Sequence, residues 1–393
     1  MKIENILITG LGVISAAGNN LVETLDSFAS GQRNASKVSL FETSLPYPAF
    51  EVKQIPKEFF QKGQRTLSLA LCAVSEALTE ADLNNAPLKL RVGVCMGTTV
   101  ASQLNDLEFY TSYRNTGSAP MTAVDRYVKG NLAECISRKF KGQGPSLTVV
   151  NACSSGSDAI GVALSWLKNG LCDIAIAGGA DEFNRIPYCG FGSLGIVSRD
   201  LCAPFDRERT GLNLGEGAGV MVLETEESAQ QRGKVSDLYL TGYGSASDAY
   251  HLTAPRPDGS GLRASISKAL ANSGIEPKQV GFVNAHGTAT IDNDLVEGKV
   301  LGDIFGPGLK VLSTKGFTGH TLGAAGGMEA VFTVAGLRNC WIPASAGFIT
   351  KDEAIPITPV QEKTAVPGHY AVSTSLAFGG NNAALVFRRN MKI

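Results

Sequence analysis

The chain has 393 residues and a formal net charge of -1 at pH 7, from 35 lysines and arginines against 36 aspartates and glutamates. This balance excludes the excess of positive charge that is typical of nucleic-acid-binding proteins. Hydrophobic residues make up 44% of the chain and charged residues 18%, which excludes a disordered protein and indicates one large or two fused domains.

The sequence does not predict a membrane or exported protein. Apolar stretches such as residues 174–177 are far shorter than the roughly 20 residues of a spanning helix. The first residues are polar where a signal peptide would be apolar. The eight cysteines include no Cys-x-x-Cys pair and there are only four histidines, so neither disulfides nor a zinc site is predicted. We therefore expect a cytoplasmic protein.

Short apolar runs alternate with helix-patterned segments along the chain, and glycines separate them. The sequence predicts buried strands over residues 6–9, 91–96, 147–151, 174–177 and 219–224. It predicts helices over residues 66–81, 155–169, 261–273 and 326–338. Alternation of this kind is typical of an α/β fold.

Three segments of the N-terminal part recur in the same order in the C-terminal part. Residues 6–12 resemble 238–244, residues 94–98 resemble 284–288, and residues 217–222 resemble 382–387. Chance matching of short apolar words is the alternative, and three matches in the same order disfavour it. We predict a duplicated α/β unit with halves at residues 1–235 and 236–393.

Gly10 and Gly12 follow the first predicted strand, as the glycines of a dinucleotide-binding turn would. Ser15 replaces the third glycine of that fingerprint, and no acidic residue follows at the required distance. We interpret the two glycines as a tight structural turn.

Cys153 lies where the β-branched run at 147–151 gives way to the helix-patterned segment at 155–169. The free backbone N–H groups and the dipole of a helix N-terminus favour a thiolate. Cys153 is therefore the one cysteine whose surroundings predict reactivity, and an inert buried cysteine is the alternative.

His286 and His320 each lie in a polar turn bounded by glycines, and either could assist a nucleophilic cysteine or be structural. Glu329 interrupts an otherwise apolar helix. Its carboxylate must face solvent or be paired in the core, because an unpaired buried charge is unfavourable. Lys315 is the nearest plausible cation.

Seven motifs, taken in order, resemble those of the elongating β-ketoacyl-[acyl-carrier-protein] synthases, condensing enzymes of the thiolase-like superfamily. Each motif is a weak signal alone, whereas the ordered set is specific and the resemblance runs over residues 6–387. The motifs are Asn-Ala-Cys-Ser-Ser-Gly at 151–156, Gly-Gly-Ala-Asp-Glu at 178–182, Pro-Phe-Asp-Arg at 204–207, Gly-Glu-Gly-Ala-Gly at 215–219, Asn-Ala-His-Gly-Thr at 284–288, Lys-Gly-Phe-Thr-Gly-His at 315–320 and Phe-Gly-Gly-Asn at 378–381.

The resemblance implies two βαβαβαββ halves stacked as a five-layered α-β-α-β-α sandwich. The N-terminal thiolase-like half would carry the nucleophilic cysteine, and the C-terminal half the two histidines. The implied reaction is a decarboxylative Claisen condensation of malonyl-carrier with a cysteine-bound acyl chain, in fatty acid or type II polyketide synthesis. It implies no metal or other cofactor.

The resemblance also implies a role for each residue of the site. Cys153 would accept the acyl group, and His286 with His320 would bind the malonyl thioester carbonyl. Lys315, paired with Glu329, would support the histidines.

The backbone N–H groups of Cys153 and Phe378 would form the oxyanion hole. Phe378 would also gate the acyl pocket. Thr288 and Thr290 would hydrogen-bond the pantetheine arm of the carrier.

The implied partner is an acyl carrier protein. Carriers are acidic, so we expect a local basic patch on this nearly neutral chain. Arg65 and Arg207 match the docking positions of the family best. The full set of candidates is Lys62, Arg65, Arg126, Lys129, Arg207 and Arg209.

The segment Ser-Leu-Ala-Phe-Gly-Gly-Asn-Asn at 375–382 departs from the common form of the family. There, a phenylalanine and a glycine precede the gate, and a threonine precedes the final asparagine. The departure resembles branches that serve type II polyene pathways, including aryl polyenes. In such pathways a ketosynthase can pair with a chain-length factor that lacks the cysteine, so a heterodimer competes with the usual homodimer.

Two alternatives use the same fold. One is a thiolase or a non-elongating acyltransferase; the Cys-His-His set disfavours the thiolase, since Cys340 lacks the glycine-rich turn expected of a second active cysteine. A non-catalytic chain-length partner is disfavoured by the presence of Cys153, His286, His320 and Lys315.

Overall fold

The computed structural model describes residues 6–83, 90–99, 107–122, 124–125, 131–366 and 368–390. Its strands are β1 (Ile6–Ser15), β2 (Val92–Gly97), β3 (Ser146–Val149), β4 (Ile174–Asp181), β5 (Gly217–Thr225), β6 (Leu238–Ser247), β7 (Val280–Asn284), β8 (Lys310–Leu312), β9 (Trp341–Ile342), β10 (Thr364–Ala365), β11 (Tyr370–Ala377) and β12 (Asn381–Arg389). Its helices are α1 (Leu21–Ser30), α2 (Arg65–Glu80), α3 (Leu107–Thr116), α4 (Leu132–Lys139), α5 (Ser155–Lys168), α6 (Arg185–Ser193), α7 (Glu226–Gln231), α8 (Ser260–Ser273), α9 (Ile291–Phe305), α10 (Lys315–Thr318) and α11 (Ala325–Asn339).

Ten strands pair in the order β3-β2-β4-β5-β1-β6-β12-β11-β7-β8. The first set of five is β3-β2-β4-β5-β1, and the second, counted from the opposite edge, is β8-β7-β11-β12-β6. In each set the two outer pairings are parallel and the two inner pairings are antiparallel. A short pairing of β1 with β6 joins the sets. Two of the sequence repeats fall on equivalent strands, namely β1 with β6 and β5 with β12. The third falls on β2 in the first set but begins only at Asn284, the last residue of β7, in the second. The predicted duplicated α/β fold is confirmed, whereas the boundary at residue 235, between α7 and β6, stays a prediction.

Helices α5 and α11 form the central layer, because each contacts strands of both sets. Every residue of α11 from Ala325 to Leu337 is buried, as a helix covered on all sides requires. Helix α2 covers the outer face of the first set, and α8 that of the second. The resulting order of layers is α-β-α-β-α.

Gly10 and Gly12 do not form the predicted turn, since both lie inside β1. A Cβ atom at Gly12 would lie 1.9 Å from the carbonyl oxygen of Ala73 in α2, so these glycines permit close packing of helix on strand. Gly242 and Gly244 of β6 meet α8 in the same way. The repeated glycines therefore reflect repeated helix-strand packing.

Strand β3 also differs from the prediction. It ends at Val149, and it lies at the edge of the sheet, where Leu147 is 43% exposed. A continuous apolar run is thus compatible with an edge position as well as a buried one. None of the helices in the described part of the chain combines the length and apolarity needed to cross a bilayer.

Candidate active site

The turn between β3 and α5 places Cys153 in the wall of a cavity of about 240 Å³. Its side chain is 5% exposed. Ala152, just before it, has a φ of 49°, a left-handed conformation that is uncommon for a residue with a side chain. The same cavity is lined by the predicted site residues His286, Thr288, Thr290, His320 and Phe378.

The backbone N–H of Phe378 lies near the sulfur of Cys153 and acts to lower the pKa of the thiol. Burial raises the pKa of this thiol to about 12, although the charge of Lys315 and the Phe378 N–H act in the opposite direction. The position next to a helix N-terminus predicted a thiolate, and the structure corrects that expectation, because loss of solvation outweighs the favourable charges. The free thiol is protonated at neutral pH.

His286 and His320 both present Nε2–H groups. The Nδ1 atom of His286 lies 3.1 Å from the Lys315 ammonium, which can only donate, and Nδ1 of His320 accepts the Leu322 N–H at 3.2 Å. Each ring must therefore carry its proton on Nε2. Burial and the nearby Lys315 charge lower the pKa of both rings well below 6.5, so both are neutral. Their centroids lie 5.3 Å apart and their planes are nearly perpendicular.

Lys315 and Glu329 form a buried ion pair. The Lys315 ammonium also donates to Nδ1 of His286 and, at 2.5 Å, to its carbonyl oxygen, so its three protons are all engaged. Burial raises the pKa of Glu329 to about 7, against the opposing effect of Lys315. Of the two arrangements considered for Glu329, the structure therefore has the paired one.

Two residues near the histidines were not predicted. The buried carboxylate of Glu297 in α9 accepts the backbone N–H groups of His286 and Gly287, both at 2.8 Å. Phe191 of α6 stacks on Phe378, with ring centroids 5.3 Å apart, and its edge meets His320. No sequence signal marked either residue, because Glu297 is one of several charged residues in α9 and Phe191 is an ordinary aromatic residue.

The remaining candidates lie in different settings. The hydroxyls of Thr288 and Thr290 are 2.8 Å apart in the cavity wall. Arg65 does not line the cavity, and its guanidinium is bound to the buried Glu216 and to the Val52 carbonyl. These contacts indicate a structural role for Arg65, in which its charge is paired within the fold.

Arg207 is more suited to docking. Its side chain is 60% exposed, and it is paired with the exposed Glu208. Thr210 and Gly211, which follow it closely in the chain, line the cavity. Arg126 and Lys129 lie outside the described residues.

Two family models match the chain. The model of the β-ketoacyl synthase N-terminal domain covers residues 3–229, and that of the C-terminal domain covers residues 239–348. The chain is 33% identical to 3-oxoacyl-[acyl-carrier-protein] synthase 2 of Staphylococcus aureus (strain COL), over 98% of both proteins.

Two solved structures resemble the chain over its whole length. The ishigamide ketosynthase/chain length factor matches 99% of this chain and 100% of its own, at 29% identity and a TM-score of 0.91. AntDE:AntF, a type II polyketide acyl-carrier protein in complex with its ketosynthase, matches the same shares at 25% identity and a TM-score of 0.90.

Proposed function

The chain belongs to the β-ketoacyl synthase family, and on that premise we propose that it extends an acyl chain held on Cys153 with the two-carbon unit of a malonyl-carrier. It is thus an acyltransferase of the 3-oxoacyl-[acyl-carrier-protein] synthase type. One observation carries the proposal. The sulfur of Cys153, the Phe378 N–H and two neutral histidines meet in one cavity.

In the first step, the sulfur of Cys153 attacks the thioester carbonyl of an acyl-carrier. The oxyanion that forms accepts hydrogen bonds from the N–H groups of Cys153 and Phe378. The carbon–sulfur bond to the carrier then breaks. Because Nδ1 is occupied in both histidines, the proton of the Cys153 thiol passes to the departing carrier thiolate.

In the second step, a malonyl-carrier places its thioester oxygen between His286 and His320. Loss of carbon dioxide breaks a carbon–carbon bond and leaves an enolate, whose oxygen accepts the two Nε2–H groups. The enolate carbon attacks the acyl-cysteine, the new carbon–carbon bond forms, and the carbon–sulfur bond to Cys153 breaks. The departing thiolate then takes up a proton from water. Neutral histidines suffice because decarboxylation, rather than a base, creates the nucleophile.

Lys315 and Glu329 act in this scheme by keeping the His286 ring in its tautomer. Thr288 and Thr290, in the cavity wall, bind the pantetheine arm. Phe378 acts as the gate of the acyl pocket, and its stacking on Phe191 supports this role, because the two rings must move together or separate when a chain enters.

We also propose the partners and setting of the reaction. The relatives include a ketosynthase bound to its carrier and a ketosynthase paired with a chain length factor, so we infer an acyl carrier protein and a heterodimer or homodimer for this chain. The segment at 375–382 favours a polyene branch. All eight cysteines are free, which fits the reducing environment of the cytoplasm.

A condensation assay tests the proposal. The protein is incubated with an acyl-carrier and a malonyl-carrier, and carbon dioxide and the 3-oxoacyl product are measured together. We expect equal amounts of both. Acyl transfer without a new carbon–carbon bond would support the alternative of a non-elongating acyltransferase and contradict the proposal.

A further inference from the structure

A buried carboxylate is hydrogen-bonded to the turn that carries Cys153. Asp158, in the first turns of α5, is 5% exposed. It accepts hydrogen bonds from Nδ2 of Asn151 at 2.5 Å, from the Ser154 hydroxyl at 2.8 Å and from the Tyr243 hydroxyl at 2.7 Å. We call these four residues the Asp158 clamp. None of them lines the cavity, so the clamp has no role in the mechanism above.

Two of the donors belong to the turn itself. Asn151 and Ser154 flank Ala152 and Cys153, and Ala152 has its φ of 49° between them. Such a conformation persists only where the surroundings hold it. The Ser154 hydroxyl oxygen also lies 2.9 Å from the Asn151 carbonyl oxygen, so its one proton is shared between that carbonyl and the Asp158 carboxylate, and the carboxylate and the turn form one connected network.

The third donor comes from the other half of the fold. Tyr243 lies on β6, whereas Asn151 and Ser154 lie between β3 and α5 and Asp158 lies in the first turn of α5. Its ring occupies space left by Gly161 of α5, where a Cβ atom would lie 2.5 Å from the ring. A glycine inside a helix is unfavourable, and here it permits the ring of Tyr243 to reach Asp158. The clamp therefore connects the nucleophile turn to the second half.

We propose that the Asp158 clamp positions the nucleophile. By holding the turn at Ala152, it aims the sulfur and the N–H of Cys153 at the thioester carbonyl. Asp158 and Tyr243 are then positioning residues for acyl transfer, which is sensitive to displacements of less than 1 Å. The inference rests on the proposed function, since it assumes that Cys153 accepts the acyl group.

The test is single-turnover acylation by a saturating hexanoyl-carrier, followed by intact mass. The amplitude reports the fraction of active protein, and the rate constant reports the chemistry of each active site. We expect Tyr243→Phe to lower the rate constant about tenfold or more while the amplitude is retained. Tyr239→Phe, four residues earlier on β6, is the matched control, because its ring faces Arg388 and it belongs to no part of the clamp.

A second pair of variants tests the carboxylate. Asp158→Asn turns an acceptor into a group that also donates, and its amide would meet the Asn151 amide. We expect a loss at least as large as that of Tyr243→Phe. The double variant Asn151→Asp with Asp158→Asn exchanges the two groups, so that an amide at position 158 can donate to a carboxylate at position 151. We expect it to regain most of the acylation rate constant.

Unchanged rate constants in both Tyr243→Phe and Asp158→Asn would overturn the proposal. So would a loss confined to the amplitude and the melting temperature, which a purely structural network would give. If Asp158→Asn does not fold, Tyr243→Phe decides alone. Absence of acyl-Cys153 in the unmodified protein would refute the proposed function, whereas normal loading with unaffected variants would refute the clamp alone.

Discussion

The protons of the candidate site are held in place by neighbouring groups. Lys315 and the Leu322 N–H occupy Nδ1 of the two histidines, and burial keeps both rings neutral. Burial also keeps Cys153 as a thiol. In the proposed mechanism, the site therefore acts by donating hydrogen bonds, without a pre-formed thiolate or a strong base.

The pH dependence of Cys153 alkylation follows from this state. Because burial raises its pKa to about 12, the thiolate fraction increases steadily with pH. We expect the rate constant for iodoacetamide to rise without a plateau between about pH 7 and 10. The measurement uses a Cys189→Ser background, because Cys189 is exposed. A plateau below about pH 8 would contradict this expectation, because it would show that the helix N-terminus lowers the pKa of the Cys153 thiol more than burial raises it.

The histidines are expected to matter chiefly after loading. His286→Ala or His320→Ala removes one N–H donor to the enolate, so malonyl decarboxylation should fall by about 10²- to 10³-fold. Transfer of the acyl group to Cys153 should remain measurable, because the N–H groups of Cys153 and Phe378 are retained. Radiolabelled carbon dioxide release and intact mass separate the two steps. Normal condensation by both variants would remove the histidines from the mechanism.

The sequence predicted those site residues that carry a motif. Cys153, His286, His320 and Phe378 do converge in one cavity. Glu297 and Asp158 were not predicted, because their roles arise only when distant segments meet. Arg65 was predicted as a docking residue from its charge and its match to the docking positions of the family, but a sequence does not show that Glu216 pairs with it in the fold.

At the scale of elements, α5 and α11 approach closely through glycines. A Cβ atom at Gly156 would lie 2.5 Å from the backbone nitrogen of Gly327. One at Gly327 would lie 2.5 Å from the nitrogen of Gly179 in β4. The contacting atoms belong to the backbone and cannot move away as a flexible side chain could. This close contact of α5 with α11 therefore fixes the distance between Cys153, just before α5, and Glu329 in α11.

Gly327→Ala should therefore destabilise the protein. We expect a loss of about 1–3 kcal/mol in the free energy of unfolding, since added volume cannot be accommodated. Gly190→Ala in α6 is the matched control, because nothing lies within 4 Å of its Cβ position. Helix propensity alone should leave that variant unchanged or up to about 1 kcal/mol more stable. Equal denaturation midpoints for the two variants would contradict this packing.

The predicted elements were most accurate where the apolar pattern was long. The four predicted helices correspond to α2, α5, α8 and α11, and the ends differ by only one residue. Helix α9 was not predicted, because Asp292, Asp294 and Gly298 interrupt its apolar pattern. Gly10 and Gly12 suggested a turn because a sequence does not distinguish a glycine needed for bending from one needed for close packing.

At the scale of the molecule, docking of the carrier should depend on positive charge at the protein surface. Arg207→Glu should raise the KM for acyl-carrier and flatten its dependence on salt, because an exposed charge acts on an acidic partner over about a Debye length. Acylation by a small thioester should not change. Arg263→Glu on α8, which does not line the cavity, is the matched control. Equal effects of the two reversals at low salt would place the docking face elsewhere. Arg65→Glu is unsuitable, since it would set two carboxylates against each other beside the core.

Acylation of Cys153 is the event on which the whole scheme depends. The most direct measurement is intact mass after incubation with a panel of acyl-carriers, followed by peptide mapping, for the unmodified protein and for Cys153→Ala. We predict one added acyl group per chain, located on Cys153, and none on the variant. The chain that loads fastest would identify the preferred substrate. Undiminished loading of Cys153→Ala, or an acyl group on another residue, would contradict the account.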